Sequence, residues 1–195
     1  MRLRVVIGWV ALLFAIWGSF SALTPSTVRH AACWMAPPVR KFKINIDASL
    51  NKQDGNIGLG IVIRDSNGAV LASSAQRITS PFPSPVAEAL GILRGLIFER
   101  ESGFLPAVME SDALAVVNAI RSPLSLADLG LLVFNIQNIL VVFPGFSVEF
   151  VRREANKAAH ILSKFALSVE VDHFWMEDYP PYVCTQLLED CQGFG

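Results

Sequence analysis

Phe42–Ser49 reads FKINIDAS, in which Phe42, Ile44, Ile46 and Ala48 alternate with Lys43, Asn45, Asp47 and Ser49. A two-residue period marks a β-strand with one face turned to a core. Downstream, Asp54-Gly55-Asn56 is a turn signal, and Leu59–Asp65 (LGIVIRD) gives a second strand. Ser66-Asn67-Gly68 carries the Asn-Gly signature of a tight hairpin and leads into a third strand over Ala69–Ile78. Three consecutive strands joined by short turns form an antiparallel meander.

Beyond the meander the period changes. Pro81–Pro85 breaks the chain, and Val86–Glu101 follows with Leu90, Leu93, Leu96 and Ile97 on one helical face. Ser84 and Pro85 suit its N-cap and first position, and Gly103 its C-terminal end. A fourth strand is expected over Ala107–Glu110, helices over Asp112–Arg121 and Leu126–Phe143, a turn at Pro144-Gly145, and a fifth strand over Phe146–Arg152. An amphipathic helix spans Glu154–Val169, and the tail holds Trp175, Pro180-Pro181 and a short helical pattern to Asp190. The order βββαβααβα implies an α/β fold: a five-stranded mixed sheet, the meander plus two further strands, flanked by helices.

Composition sets outer bounds. The 195 residues are 52% hydrophobic and 17% charged, which excludes a disordered chain. A net charge of −1 excludes a binder held to nucleic acid by bulk positive charge. The charge is unevenly spread. Residues 1–46 carry six basic residues and no acid, while the remainder carries ten basic against seventeen acidic, a net of −7. Cys33, Cys184 and Cys191 are too few and too far apart for a disulfide framework or a zinc site, and read as unpaired thiols.

Arg2 and Arg4 precede an uncharged run of 19 residues, Val5–Leu23. That is close to membrane-spanning length, and basic residues before an apolar run also describe a secretory signal. Residues 1–23 are therefore expected to be a signal peptide, with Ser19 and Ser21 suiting a cut after Ser21, or a signal-anchor touching the membrane through residues 5–23. An organelle-targeting segment and a misassigned start of the reading frame are the other two readings. Residues 24–41 read as a Pro-rich basic linker, 42–170 as the folded domain, and 171–195 as a tail packing on or extending it. The N-terminus points to membrane or secretory pathway, the domain to nucleus, cytoplasm or organelle.

Three acids stand at unusual places. Asp47 lies in the middle of a strand, where an unpaired buried carboxylate is costly. Glu88 sits at the start of the first helix and Asp112 at the end of the fourth strand. Taken singly, Glu88 could serve the helix dipole and Asp112 could be an N-cap. The three converge if strands one and four are neighbours. Clustered hard oxygen donors are what Mg²⁺ requires, and two such ions about 4 Å apart support in-line attack of water on a phosphodiester.

From Trp34 to Asp190 the chain resembles the plant-type RNase H-like domain also found in reverse-transcriptase-like proteins. The resemblance is carried by Trp34-Met35-Ala36-Pro37-Pro38, Lys43–Ser49, Gly58–Asp65 with Asn67-Gly68, Ala87-Glu88-Ala89 and Glu110-Ser111-Asp112. It continues through Phe150–Asn156 with Ala159-His160 and Leu162, and through Trp175 and Glu177-Asp178-Tyr179-Pro180. It implies hydrolysis of the RNA strand of an RNA–DNA hybrid, an endonuclease reaction using two Mg²⁺ or Mn²⁺ ions and no small-molecule cofactor, in a monomer. By the same resemblance Asp47 would bridge both metals while Glu88 and Asp112 hold one each.

His160 stands where well-characterised relatives carry an Asp, four residues after Asn156. Imidazole suits Mn²⁺ better than Mg²⁺, so His160 reads as a fourth catalytic residue, a proton carrier, or a packing histidine. Contacts to nucleic acid are expected from Arg152, Arg153 and Asn156; Arg64, Arg94, Arg121 and Lys157 are weaker candidates, and His173 decorates the tail. Residues 121–144, where hybrid-binding relatives are often basic, hold one basic residue, Arg121, and one acid, Asp128. Two other functions stay open: a module that binds nucleic acid without cleaving it, and a membrane-tethered or secreted protein that keeps the fold alone.

Overall fold

The computed structural model describes residues 33–122 and 129–192. A single sheet of six strands forms its centre, in the order β5-β4-β1-β2-β3-β6. Strands β1 (Phe42–Asn51), β2 (Asn56–Arg64) and β3 (Val70–Thr79) are the expected meander, paired antiparallel. β4 (Ala107–Ser111) lies parallel to β1, and β5 (Phe146–Phe150) parallel to β4. The sixth strand, β6 (His173–Met176), was not expected: it adds antiparallel to the outer edge of β3.

Helices cover both faces. On one face lie α1 (Ser84–Ser102), α2 (Leu114–Arg121) and α3 (Gly130–Val142), over a core of Ile44, Ile46, Ile61, Ile63, Ile92, Leu96 and Met109. On the other lie α4 (Lys157–Ala166) and α5 (Cys184–Gln192), where Leu162, Val183 and Leu187 meet Val62. The alternation of β1 sorts its side chains accordingly, Ile44, Ile46 and Ala48 toward α1 and the polar set toward α4. Gly58 and Gly60 let α4 lie directly on β2. A Cβ at either position would come within 2.1 Å of a backbone carbonyl, that of Ser163 or of Ala159. Gly60 is the register partner of Asp47, so this close approach also sets α4 against the strand-centre acid.

Several boundaries move for physical reasons. α1 begins at Ser84 with Pro83 as its N-cap, because Pro85 is tolerated within the first turn. The last helix is interrupted: Arg153–Ala155 is a 3₁₀ turn, and Asn156 separates it from α4. The start of the expected Leu126–Phe143 helix lies outside the described residues. The segment read as a linker contributes to the core, since Trp34 is buried against Val151 and Ala155. The three cysteines are free thiols. Among the described residues no helix is long and apolar enough to cross a membrane, and Val5–Leu23 lies outside them.

One core position is at odds with its surroundings. Glu99, on the inner side of α1, is 0% exposed, and neither carboxylate oxygen has a hydrogen-bond partner. Burial alone pushes its carboxyl from 4.5 up to about 7. The folded state therefore holds the proton more tightly than the unfolded chain. Stability falls as pH rises from about 4.5 to about 7, by on the order of 3 kcal/mol, and stays low above that. Glu99→Leu is expected to raise stability at pH 8 by roughly 2–3 kcal/mol and to change little at pH 4.5. Urea unfolding of both proteins at the two pH values checks this; an equal difference at both would contradict it.

Candidate active site

The parallel pairing of β1 with β4 matches Ile46 with Ser111, so Asp47 and Asp112 emerge side by side just beyond that pair. α1 crosses behind them, its Gly91 and Gly95 packed on Ile46, which brings Glu88 to the same end of the sheet. One carboxylate oxygen from each of Asp47, Glu88 and Asp112 lies within 4.8 Å of the others. The simpler readings of two of these acids do not hold. No acid occupies the first turn of α1, and the N-cap of α2 is Ala113, with no side-chain cap bond.

The electrostatics are those of carboxylates crowded together and partly withdrawn from water. Burial, then the charges of Asp47 and Asp112, push Glu88 up to about 9, against one hydrogen bond from the backbone of Ala48. Glu88 Oε2 is buried without a partner. Asp112 is also raised, by burial and by Asp47, with Arg153 and Asn156 opposing. Asp47 is only 3% exposed, and burial pushes it up. Hydrogen bonds from His160 and Ser163, with the positive charge of Arg153, outweigh that and hold it below the usual carboxylate range. Three hard oxygen donors and an orphaned carboxylate oxygen fit a divalent ion such as Mg²⁺ or Mn²⁺.

Around the acids the chain supplies holding groups. His160 Nδ1 lies 3.1 Å from Asp47 Oδ2, and the Ser163 hydroxyl donates to that same oxygen. Arg153 Nη2 lies 3.2 Å from His160 Nδ1 and 2.9 Å from Nε2, against both ring nitrogens. With its proton on Nδ1, the imidazole donates to Asp47. Beneath them, Asn156 Nδ2 donates to the Ile46 carbonyl at 2.8 Å and lies 3.5 Å from Asp112 Oδ1. Asn45 Nδ2 donates to Asn156 Oδ1 at 3.2 Å and to Glu110 Oε2 at 3.0 Å, and Glu110 pairs with Lys43 at 2.6 Å.

The acids open into a groove of about 730 Å³ that runs past Asn51, Lys52, Phe82 and Ser84 and is flanked by Arg153, His160 and Lys164. Of the residues expected to meet nucleic acid, Arg153 lines this groove, while Arg152 is exposed outside its lining. Asn156 is 1% exposed, so it braces Asp112 rather than facing a ligand. Arg64 is also buried, and Arg121 Nε donates to the Val148 carbonyl. Ser163, Lys164 and Lys52 were missed by the reading of the sequence. The first two follow His160 at helical spacings of three and four, which puts them on its side of α4 and could have found them. Nothing comparable marks Lys52, in the turn between β1 and β2.

Residues 45–166 match the family model described as reverse transcriptase-like. An Arabidopsis thaliana protein named "Putative ribonuclease H protein At1g65750" is 27% identical over 172 residues, 88% of this chain, and the chain spans 28% of that relative's length. The N-terminal RNase H domain of a Mycobacterium tuberculosis protein, solved as a fusion with maltose-binding protein, is 28% identical with a TM-score of 0.58, over 66% of this chain and 94% of that one. RNase H1 of Halobacterium salinarum has the same fold at 20% identity and a TM-score of 0.61, over 66% of this chain and 98% of that one. So does an RNase H1 isolated from compost and solved with an RNA/DNA hybrid, at 22% identity and a TM-score of 0.58, over 65% and 96%.

Proposed function

Because the chain belongs to the reverse transcriptase-like family, we propose that its RNase H-like domain is a metal-dependent nuclease that hydrolyses the RNA strand of RNA–DNA hybrids. The observation that carries this is the convergence of Asp47, Glu88 and Asp112 within 4.8 Å at the head of an open groove. These three would hold the divalent ion, which when bound supplies Lewis acidity toward a phosphodiester oxygen and lowers the pKa of water. The rest is done by side chains. Asn156 fixes Asp112, Ser163 and His160 fix one oxygen of Asp47, and Lys52, Lys164 and Arg153 neutralise phosphates along the groove. α3, with no charged residue in Gly130–Val142, contributes nothing to that grip.

The experiment is cleavage of a hybrid labelled on its RNA strand, with Mg²⁺ and Mn²⁺ in separate reactions. Cleavage in at least one metal is expected, and its absence in both overturns the proposal. A second reading, binding without turnover, is favoured by His160 standing where well-characterised relatives carry an Asp. Salt-dependent retention of the hybrid with no product in either metal would establish it instead.

A further inference from the structure

We propose that the Arg153–His160 pair takes the place of a second cation, so that this chain binds one divalent ion rather than two; the proposal rests on the nuclease reading above. Among the described residues, Asp47, Glu88 and Asp112 are the one cluster of three or more side chains able to hold a metal. The groups beside them are already engaged. Asp47 Oδ2 accepts from both His160 and Ser163, which leaves its other oxygen for a metal. His160 Nδ1 faces Asp47 Oδ2 at 3.1 Å, and Arg153 Nη2 lies 3.2 Å from Nδ1 and 2.9 Å from Nε2, so a guanidinium already sits against both ring nitrogens that a metal would use. A second ion would have to displace a guanidinium.

Arg153 suits the part of a resident cation. Among the described residues its guanidinium forms no ion pair of its own, yet it lines the same groove as all three acids. A guanidinium carries its charge at every accessible pH and cannot be deprotonated to make room. Neighbouring cations in a low-dielectric cleft repel, so Arg153 weakens binding at the remaining position and blocks the next.

The test is Mn²⁺ binding to the full-length chain, read as loss of the free-ion electron paramagnetic resonance signal, with no nucleic acid present. One ion per chain is expected for the wild type. Arg153→Ala should bind that ion roughly tenfold more tightly, Arg153→Lys should behave like wild type because the charge is kept, and Arg153→Ala with His160→Asp should bind two ions. Near-ultraviolet circular dichroism confirms that each variant is folded. Two ions in the wild type, or an Arg153→Ala variant unchanged in both affinity and stoichiometry, overturns this inference and leaves the metal site standing. No bound ion in the wild type removes the metal site itself, and with it both readings.

Discussion

Asp47→Asn is expected to lower hybrid cleavage by about 10³-fold or more while the protein stays folded. The loss follows from removing the central oxygen donor, since stabilisation by a metal is worth several kcal/mol and each 1.4 kcal/mol is tenfold in rate. The fold should survive because the Asn amide oxygen can still accept from Ser163 and His160, and the side chain is nearly isosteric. Neutralising Asp47 also removes a like charge from Glu88 and Asp112, both of which it pushes up. The carboxyl of Glu88 should drop from about 9, and stability above neutral pH should hold or rise. Cleavage and urea midpoint measured on the same preparation separate the two effects. Residual cleavage within tenfold of wild type would remove Asp47 from the chemistry.

Arg64→Met is expected to cost about 3–5 kcal/mol of stability, because it breaks a buried ion pair from one side. Arg64 is 0% exposed at the end of β2. Its Nη1 meets Asp190 Oδ2 at 2.7 Å, its Nη2 donates to Asn45 Oδ1 at 2.9 Å, and its guanidinium lies 3.6 Å from the centre of the Trp34 ring. The pair thereby ties both ends of the domain, Trp34 and α5, to β1. Removing Arg64 leaves the Asp190 carboxylate buried, with Gln186 donating at 2.8 Å as its remaining side-chain partner in the structure. Arg64→Met with Asp190→Leu should recover most of the loss, since two apolar groups leave no buried charge. Denaturant unfolding of the single and double variants checks this. A single-variant loss below about 1 kcal/mol would mean that α5 is docked by its apolar contacts alone.

That arginine also shows where reading the sequence ran out. In the linear chain Arg64 is a basic residue closing an apolar strand, indistinguishable from a solvent-facing phosphate contact. Its partner lies 126 residues away. The meander was legible because its signals are local: two-residue alternation in β1 and an Asn-Gly hairpin before β3. The acids were legible for a different reason, since a carboxylate at the centre of an alternating strand has few uses outside a site. What could not be read were elements made only by tertiary contact. His173–Met176 becomes a strand because β3 offers it a free edge, and Trp34 becomes core because Asn45 Oδ1 accepts its indole N–H at 2.8 Å. Asn156, expected from the sequence to contact nucleic acid, is 1% exposed and lies 3.5 Å from Asp112 Oδ1, a burial that only the packing of α4 on the sheet reveals.

Asp47, Glu88 and Asp112 are expected to hold a divalent cation. The most direct measurement is an anomalous difference map, recorded near the manganese absorption edge, from crystals soaked in Mn²⁺. The arrangement of carboxylates predicts one peak bounded by those three side chains, with Arg153 and His160 closing its far side. Manganese bound elsewhere in the crystal, with no peak among the three carboxylates, would contradict it.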